Sequence, residues 1–106
     1  MSKYVRLMAD FCSSGVWDEN GTNLDIDSLP IHFWLKSMIG EWQAQYDREV
    51  DPSSMDDFDV KTFAKHGYAL AVKLKQNLPD WTVMYFDESK AYSNLPRSEF
   101  LKEIVL

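Results

Sequence analysis

The sequence has a single cysteine, Cys12, among its 106 residues, so the chain cannot form an internal disulfide. Its four glycines are scattered singly, which excludes a glycine-rich phosphate-binding loop. Residues 1–20 contain no apolar run of signal-peptide length, and no stretch approaches the ~20 apolar residues of a membrane span. These absences favour a soluble, cytoplasmic protein.

Side chains that could support catalysis are also few. His32 and His66 fall on predominantly polar positions of predicted helices, where a solvated histidine is commoner than a catalytic base. No histidine is paired with Cys12 by its spacing, and a lone cysteine after a strand is usually a small buried hydrophobe. The sequence therefore indicates a protein that is not an enzyme and that needs no cofactor or metal.

Basic residues are scarce in the middle of the chain, from Asp10 to Asp59. Between Asp10 and Asp59 there are twelve acidic residues and two basic ones, a net charge of −10, whereas the rest of the chain carries +4. A field of that sign repels nucleic acid and anionic membranes, and it attracts basic proteins or cations. The alternative, in which the acidity serves only solubility, is left open by the charge alone.

The remaining composition is typical of one globular domain, residues 1–106. Hydrophobic residues make up 45% of the chain and aromatic residues 14%, which is enough to form a core without a metal or a disulfide. Residues 4–9 and 81–86 are predicted to be strands. Both segments are apolar on both faces, so we expect each strand to be covered on both sides.

The first of two long helices is predicted to begin near Ser28, a candidate cap, with Pro30 in its first turn. Its apolar residues recur at helical spacing and predict one broad buried stripe. The members of that stripe are Ile31, Trp34, Leu35, Met38, Ile39, Trp42 and Tyr46. Phe33 and Gln43 lie off the stripe.

The second long helix shows the most regular pattern in the chain. Apolar residues recur every three or four positions from 60 to 78, after a candidate cap at Asp57 or Asp59, and Pro79 ends the pattern. A short third helix is predicted in the tail that begins at Ser98, because its apolar residues also show helical spacing.

This order of elements predicts an α/β fold. A connection that contains two helices is too long for a hairpin and favours a crossover between parallel neighbouring strands. We therefore expect a small sheet with two parallel strands, two long helices packed on it, and a short C-terminal helix. Because two strands alone are marginal, a further strand should come from the acidic loop, the tail or another chain. The predicted core comprises Val5, Leu7, Leu35, Ile39, Trp42, Phe63, Leu70, Leu74, Val83 and Tyr85.

The stretch GVWDENGTNLDIDSLP, residues 15–30, combines surplus acid with a tryptophan in polar surroundings. Parallel strands end at one edge of a sheet, where open α/β sheets place their binding sites. We expect this acidic loop to lie above that edge, beside the acids that follow the second strand. The predicted partner-binding residues are Trp17, Asp18, Glu19, Asp25, Asp27, Phe33, Asp87 and Glu88. Trp17 could instead fold back as a lid on the core.

A metal site is a less favoured interpretation of the same edge. Asp10, Asp18 and Asp87 could cluster as oxygen ligands for Mg²⁺ or Ca²⁺, which would suit a metal-dependent hydrolase. The segment DENGTNLDID departs from an EF-hand loop, however, because Gly21 stands at its fourth position rather than the sixth, and no glutamate occupies the twelfth.

Two blocks, VRLMADFCSSGVWDENGTNLDIDSLP and YALAVKLKQNLPDWTVMYFDE, resemble a group of small acidic bacterial proteins. That group has a V-R-L-x-x-D-[FY] strand, a W-D-x-x-G-x-N loop and a closing W-x-V-x-Y-F-D-E strand. Such proteins are similar to the immunity proteins of contact-dependent growth inhibition and related polymorphic toxin systems. The resemblance covers most of residues 4–88. It implies an intracellular, non-enzymatic protein that binds and neutralises one cognate toxin domain, often a nuclease.

The charge distribution agrees with that implication. A nuclease needs a basic groove for its substrate, and an acidic inhibitor can cover such a groove and be steered to it. The expected partner is a basic toxin domain rather than nucleic acid or a membrane. A non-enzymatic adaptor with an unknown partner and a metal-dependent hydrolase are the alternatives, and the choice between monomer and weak dimer stays open.

Overall fold

In the computed structural model, the described residues are 3–50, 58–90 and 100–106. The strands are β1 (Tyr4–Leu7), β2 (Val16–Trp17), β3 (Thr82–Phe86) and β4 (Leu101–Glu103), and the long helices are α1 (Phe33–Glu49) and α2 (Val60–Asn77). Short 3-10 turns occupy Ile26–Ser28 and Glu88–Lys90. Within the described ranges, no helix has the length and apolar character needed to cross a bilayer.

The four strands form one mixed sheet in the order β2-β1-β3-β4. The central strands β1 and β3 are parallel, with Val5 opposite Val83 and Leu7 opposite Tyr85. This pairing confirms the predicted crossover. The outer strands β2 and β4 are antiparallel to their neighbours, so both the acidic loop and the tail supply the additional strands that a stable sheet needs.

The predicted C-terminal helix is wrong in the described part of the tail, and Ser98 lies outside the described residues. Leu101–Glu103 pair with β3, and the Ile104 N–H donates to the Val83 carbonyl at 2.9 Å. Ile104 is buried. A few apolar residues in so short a segment fit either structure, and the exposed edge of β3 favoured the strand because its backbone groups require partners.

Among the described residues, the long helices cover one face of the sheet only, which corrects the expectation that each strand is covered on both sides. Alternate residues of β1 and β3 are buried and belong to the core shared with the helices. They are Val5, Leu7, Val83 and Tyr85. The opposite face carries the half-buried side chains of Tyr4, Arg6, Thr82 and Met84. Phe86, at the end of β3, is buried there against Phe100. A strand with apolar residues on both faces therefore does not require a second layer of helices on the other side of the sheet here.

All ten residues predicted for the core are at most 5% exposed, so that prediction is confirmed. The stripe predicted on α1 was too broad, since Trp34 is 40% and Met38 42% exposed. Gln43 was placed off the stripe but is buried. The helix begins at Phe33 rather than near Ser28, which instead ends a 3-10 turn.

The start of α2 follows its sequence pattern. The Asp59 carboxylate accepts hydrogen bonds from the Thr62 N–H at 3.1 Å and from the Thr62 hydroxyl at 2.7 Å. The hydroxyl bond and then the N–H bond hold the pKa of Asp59 below its ordinary value. The alternative cap, Asp57, lies outside the described residues.

Gly67 is where α2 approaches the rest of the core most closely. A Cβ placed on it would lie 2.5 Å from Tyr85 Oη and 2.6 Å from Trp42 Cζ2. Both aromatic side chains are held by α2 itself, since Tyr85 Oη donates to the Ala64 carbonyl at 2.7 Å and Trp42 Nε1 to the Phe63 carbonyl at 3.1 Å. Gly67 therefore allows the two rings to lie against the helix backbone.

Alkaline pH should destabilise the protein through Tyr85. Burial, and then the charges of Asp87 and Glu88, raise the pKa of its hydroxyl above the ordinary value. Because ionisation is disfavoured in the folded state, the stabilisation is complete below the unfolded pKa of about 10 and is lost above it. Urea midpoints measured from pH 8 to 11 should fall more steeply for the wild type than for Tyr85→Phe. Equal slopes would contradict this assignment.

Candidate functional site

The acidic loop lies at the amino end of the sheet, where the parallel strands β1 and β3 begin. The antiparallel strand β2 places Val16 opposite Leu7 and Trp17 opposite Arg6. The chain is therefore already running back towards the amino end of the sheet when it reaches Asp18. Asp18 and Glu19 then line a cavity of about 250 Å³ together with Tyr4, at the start of β1, and Trp81, which precedes β3. The expectation that this loop lies above the carboxyl ends of the strands is wrong.

Asp87 and Glu88 lie at the other end of the sheet. They follow β3, and Glu88 lines a cavity of about 290 Å³ with Asp10, which follows β1. The eight residues predicted to bind a partner therefore do not form one surface. The cause is the two-residue strand β2, which reverses the chain before the acidic residues are reached.

The start of α1 meets the acidic loop at the amino end. Lys36 Nζ lies 3.8 Å from Asp27 Oδ1 and donates to the Asp27 carbonyl at 3.3 Å. The His32 N–H donates to Asn77 Oδ1 at 3.1 Å, which ties the start of α1 to the end of α2. Phe33, next in sequence, is 80% exposed. We call this region the amino-end surface; its members are Asp18, Glu19, Asp25, Asp27 and Phe33.

The four acids of the amino-end surface have different local roles. Asp18 Oδ1 accepts from the N–H groups of Asn20 at 2.9 Å and Thr22 at 2.8 Å, and it thereby shapes the turn of the loop. Asp25 Oδ1 accepts from the Asp27 N–H and caps the following 3-10 turn. Glu19 is exposed, and the Asp27 side chain is 81% exposed. Glu19 therefore presents its charge to solvent, and the exposed Asp27 carboxylate does so beside the ammonium group of Lys36.

Trp17 belongs to the sheet rather than to a polar loop. It is half-buried in β2, and its indole N–H donates to the Met8 carbonyl at 2.8 Å. This placement matches the alternative in which the tryptophan folds back on the protein. Trp17 therefore stabilises the pairing of β1 with β2, and a role in partner binding stays a prediction.

The carboxyl end of β1 is held by α1 through Gln43. The Gln43 amide donates to the Asp10 carbonyl at 2.6 Å, and its Oε1 accepts from the Asp10 N–H and the Ser13 hydroxyl, both at 3.2 Å. The Cys12 N–H donates to Asp47 Oδ1 at 3.0 Å. Cys12 is exposed, in a turn with a φ of 58°, so the expectation that it is buried is wrong.

Gln43→Ala should lower the free energy of unfolding by about 1–3 kcal/mol, because it leaves the backbone N–H and carbonyl of Asp10 without their side-chain partners. Urea denaturation followed by circular dichroism measures the loss. Gln45→Ala, a less buried glutamine on the same helix, is the matched control and should change stability by less than about 0.5 kcal/mol. Equal losses for the two variants would contradict the role assigned to Gln43.

The three aspartates considered as metal ligands do not come together. Asp18 lies at the amino end, whereas Asp10 lies at the carboxyl end and the Asp87 carboxylate accepts from the Ser89 N–H and hydroxyl. Within residues 3–50, 58–90 and 100–106, no group of three His, Cys, Asp or Glu side chains is arranged to hold a metal ion. The interpretation based on this aspartate cluster is therefore wrong.

Sequence reasoning missed the exposed apolar residues beside Phe33. Trp34 stacks on His32, with ring centroids 5.9 Å apart, and Lys73 Nζ lies 5.8 Å from the Trp34 ring centroid. Met38 continues the same exposed side of α1. The signal was present in the sequence, because a stripe that includes both Trp34 and Met38 is wider than the face one helix buries.

Comparison with known protein families shows which family has this sequence pattern. A model of the Serratia CdiI immunity protein-like family matches residues 3–88. The matched region runs from the start of β1 to just past β3, so it includes both parallel strands, both long helices and the amino-end surface. A comparison with curated proteins gave no match. The family match confirms the resemblance to immunity proteins of contact-dependent growth inhibition: the chain belongs to the Serratia CdiI immunity protein-like family.

Proposed function

We propose that this immunity protein neutralises a cognate nuclease toxin domain by binding it through the amino-end surface. The observation that carries the proposal is the presence of solvent-facing carboxylates and an exposed aromatic side chain at one end of the sheet. Glu19, Asp27 and Phe33 all lie there, inside the region matched by the family. The protein acts by binding alone and performs no chemistry.

Charge supports a basic partner. The segment from Asp10 to Asp59, which contains the whole amino-end surface, carries a net charge of −10. A nuclease must hold a polyanion, so its substrate groove is basic and complementary to this surface. Complementary charge increases the association rate more than it increases the affinity. Neutralising a toxic enzyme requires rapid association. We place this association in the cytoplasm, where a nuclease would reach its substrate.

Complementary charge speeds association, and we assign most of the binding affinity to the exposed apolar residues. Phe33 is the most exposed large hydrophobic side chain among the described residues, and Trp34 and Met38 lie on the same helix nearby. An aromatic anchor surrounded by charged residues is typical of binding hot spots, because its burial in a partner's pocket releases water while the charges set the orientation. The amino-end surface thus combines an aromatic side chain that can be buried in the partner with acidic side chains that attract a basic partner.

Co-expression with the cognate toxin domain in a bacterial host tests the proposal. Cells that produce the toxin domain alone should stop growing and lose intact nucleic acid, whereas cells that also produce this protein should keep both. Complex formation without protection would contradict neutralisation and favour the adaptor interpretation. Cleavage of nucleic acid by this protein alone would contradict a purely binding role.

A further inference from the structure

A basic groove runs between α2 and β4 of this acidic protein. It has a volume of about 580 Å³ and lies over the buried ring of Tyr85. Four lysines contribute to its lining, against one aspartate, Asp87. The Asp87 carboxylate is already hydrogen-bonded to Ser89. The groove is defined here by Lys61, Lys65, Tyr68, Lys90, Phe100 and Lys102.

Two of these lysines come from the first two turns of α2. Lys61 and Lys65 are exposed and lie one turn apart. Like charges at this spacing repel, and Lys61 also lies near the positive end of the helix dipole. The charge of Asp59 attracts Lys65, so the helix accommodates both lysines while their side chains line the groove.

Aromatic residues hold the two sides of the groove in place. Tyr68, 41% exposed, lies on the same face of α2 as Lys65 and packs edge-on against Tyr85, with ring centroids 6.1 Å apart. Across the groove, Lys102 pairs with Tyr85 in the sheet, and its Nζ lies 5.1 Å from the Tyr68 ring centroid. The ammonium groups are therefore displayed from a helix and a strand.

We infer that the basic groove binds an acidic segment of the same toxin domain, an inference that rests on the proposed function. Carboxylates complement the exposed lysines Lys61, Lys65 and Lys102, and Tyr68 offers an apolar surface beside them. A short acidic segment is favoured over nucleic acid because the net charge of −6 repels a long polyanion before it reaches the groove. Two surfaces of opposite charge would also fix the orientation of the toxin on its inhibitor.

Binding kinetics against the cognate toxin domain test this inference. Lys61→Glu and Lys102→Glu should each raise the dissociation constant about tenfold or more, because they place like charges against the acidic segment. Arg48→Glu makes the same change in net charge at an exposed site near the end of α1 that lines neither the groove nor the amino-end surface, so it should change the constant less than about twofold. Groove variants that behave like Arg48→Glu while the wild type binds tightly would overturn the inference and leave the proposed function intact.

A second readout does not depend on the toxin. In nuclear magnetic resonance titrations with a short oligoglutamate peptide, the amide shifts should cluster at Lys61, Lys65, Tyr68 and Lys102, and they should vanish in the Lys61→Glu, Lys102→Glu double variant. If the toxin does not bind but the peptide does, the proposed function fails and the groove's preference for acidic peptide is supported. Tighter binding of an oligonucleotide of equal charge, or self-association that the double variant abolishes, would overturn the inference.

Discussion

Gly67→Ala should destabilise the fold by about 3 kcal/mol, the upper range for overpacking a tight core. The added Cβ would lie 2.5 Å from Tyr85 Oη and 2.6 Å from Trp42 Cζ2. Neither ring can move away cheaply, because each donates a hydrogen bond to the backbone of α2 next to the substituted position. The helix must then shift relative to β3 or give up those bonds. Urea denaturation followed by circular dichroism measures the effect.

Gly40→Ala is the matched control on α1. A Cβ at Gly40 meets no described atom within 4 Å. Alanine should therefore stabilise the protein by up to about 1 kcal/mol, through its higher helix propensity and the lower entropy of the unfolded chain. Stabilisation by both substitutions, or a loss below about 1 kcal/mol at Gly67, would contradict the close packing described for α2.

Substitutions at the amino-end surface should weaken toxin binding in two distinguishable ways. Phe33→Ala removes an anchor, so we expect faster dissociation and a loss of about 2 kcal/mol or more of binding free energy. Glu19→Lys and Asp27→Lys weaken steering, so association should slow at low salt. Their effect should fade as added salt shortens the screening length below ~10 Å. Surface plasmon resonance at two salt concentrations separates these rates.

Glu41→Lys is the control for net charge, since Glu41 is an exposed acid on α1 outside the amino-end surface. It should change the association rate much less than Glu19→Lys. Equal slowing by both variants would show that only total charge matters and would contradict a localised site. Trp17→Ala is less informative, because the indole hydrogen bond to Met8 holds β1 and β2 together and its loss also affects the fold.

The sequence predicted the central fold because its strongest patterns are local and regular. The spacing of three and four residues over eighteen positions of α2 leaves no other structure for that segment. Two apolar strands separated by helices leave the parallel crossover as the natural connection. Seven of the ten core residues follow from these two patterns, and the other three, Leu35, Ile39 and Trp42, follow from the apolar stripe on α1.

The errors occur where a pattern is short or broad. β2 has two residues, Val16 and Trp17, and is held by pairing with β1 rather than by any preference of its own. Trp34 and Met38 were predicted to lie in the buried stripe of α1 because both recur at helical spacing, but that spacing does not limit the width of the buried face. Gln43 is buried because its amide satisfies the backbone of Asp10, a contact between segments that periodicity cannot indicate.

The residues of the candidate site were named from the sequence, but their position in the fold was not predicted. The charge of residues 10–59 led to the prediction of an acidic binding surface, which stays a prediction, and Phe33 was recognised as unexplained by the core. The end of the sheet at which they lie depends on the reversal at β2, which only the strand register shows. Asp87 and Glu88 consequently lie at the carboxyl end of the sheet, away from the acidic loop with which they were predicted to form one surface.

Hydrogen–deuterium exchange on the one-to-one complex with the cognate toxin domain tests the central claim most directly. Amides of residues 18–36, which carry the amino-end surface, should exchange more slowly in the complex than in the free protein. Residues 43–49, in the last turns of α1, should exchange at their free rates. Protection confined to residues 43–49, or to residues 10–13 and 87–90 at the carboxyl end, would contradict binding through the amino-end surface.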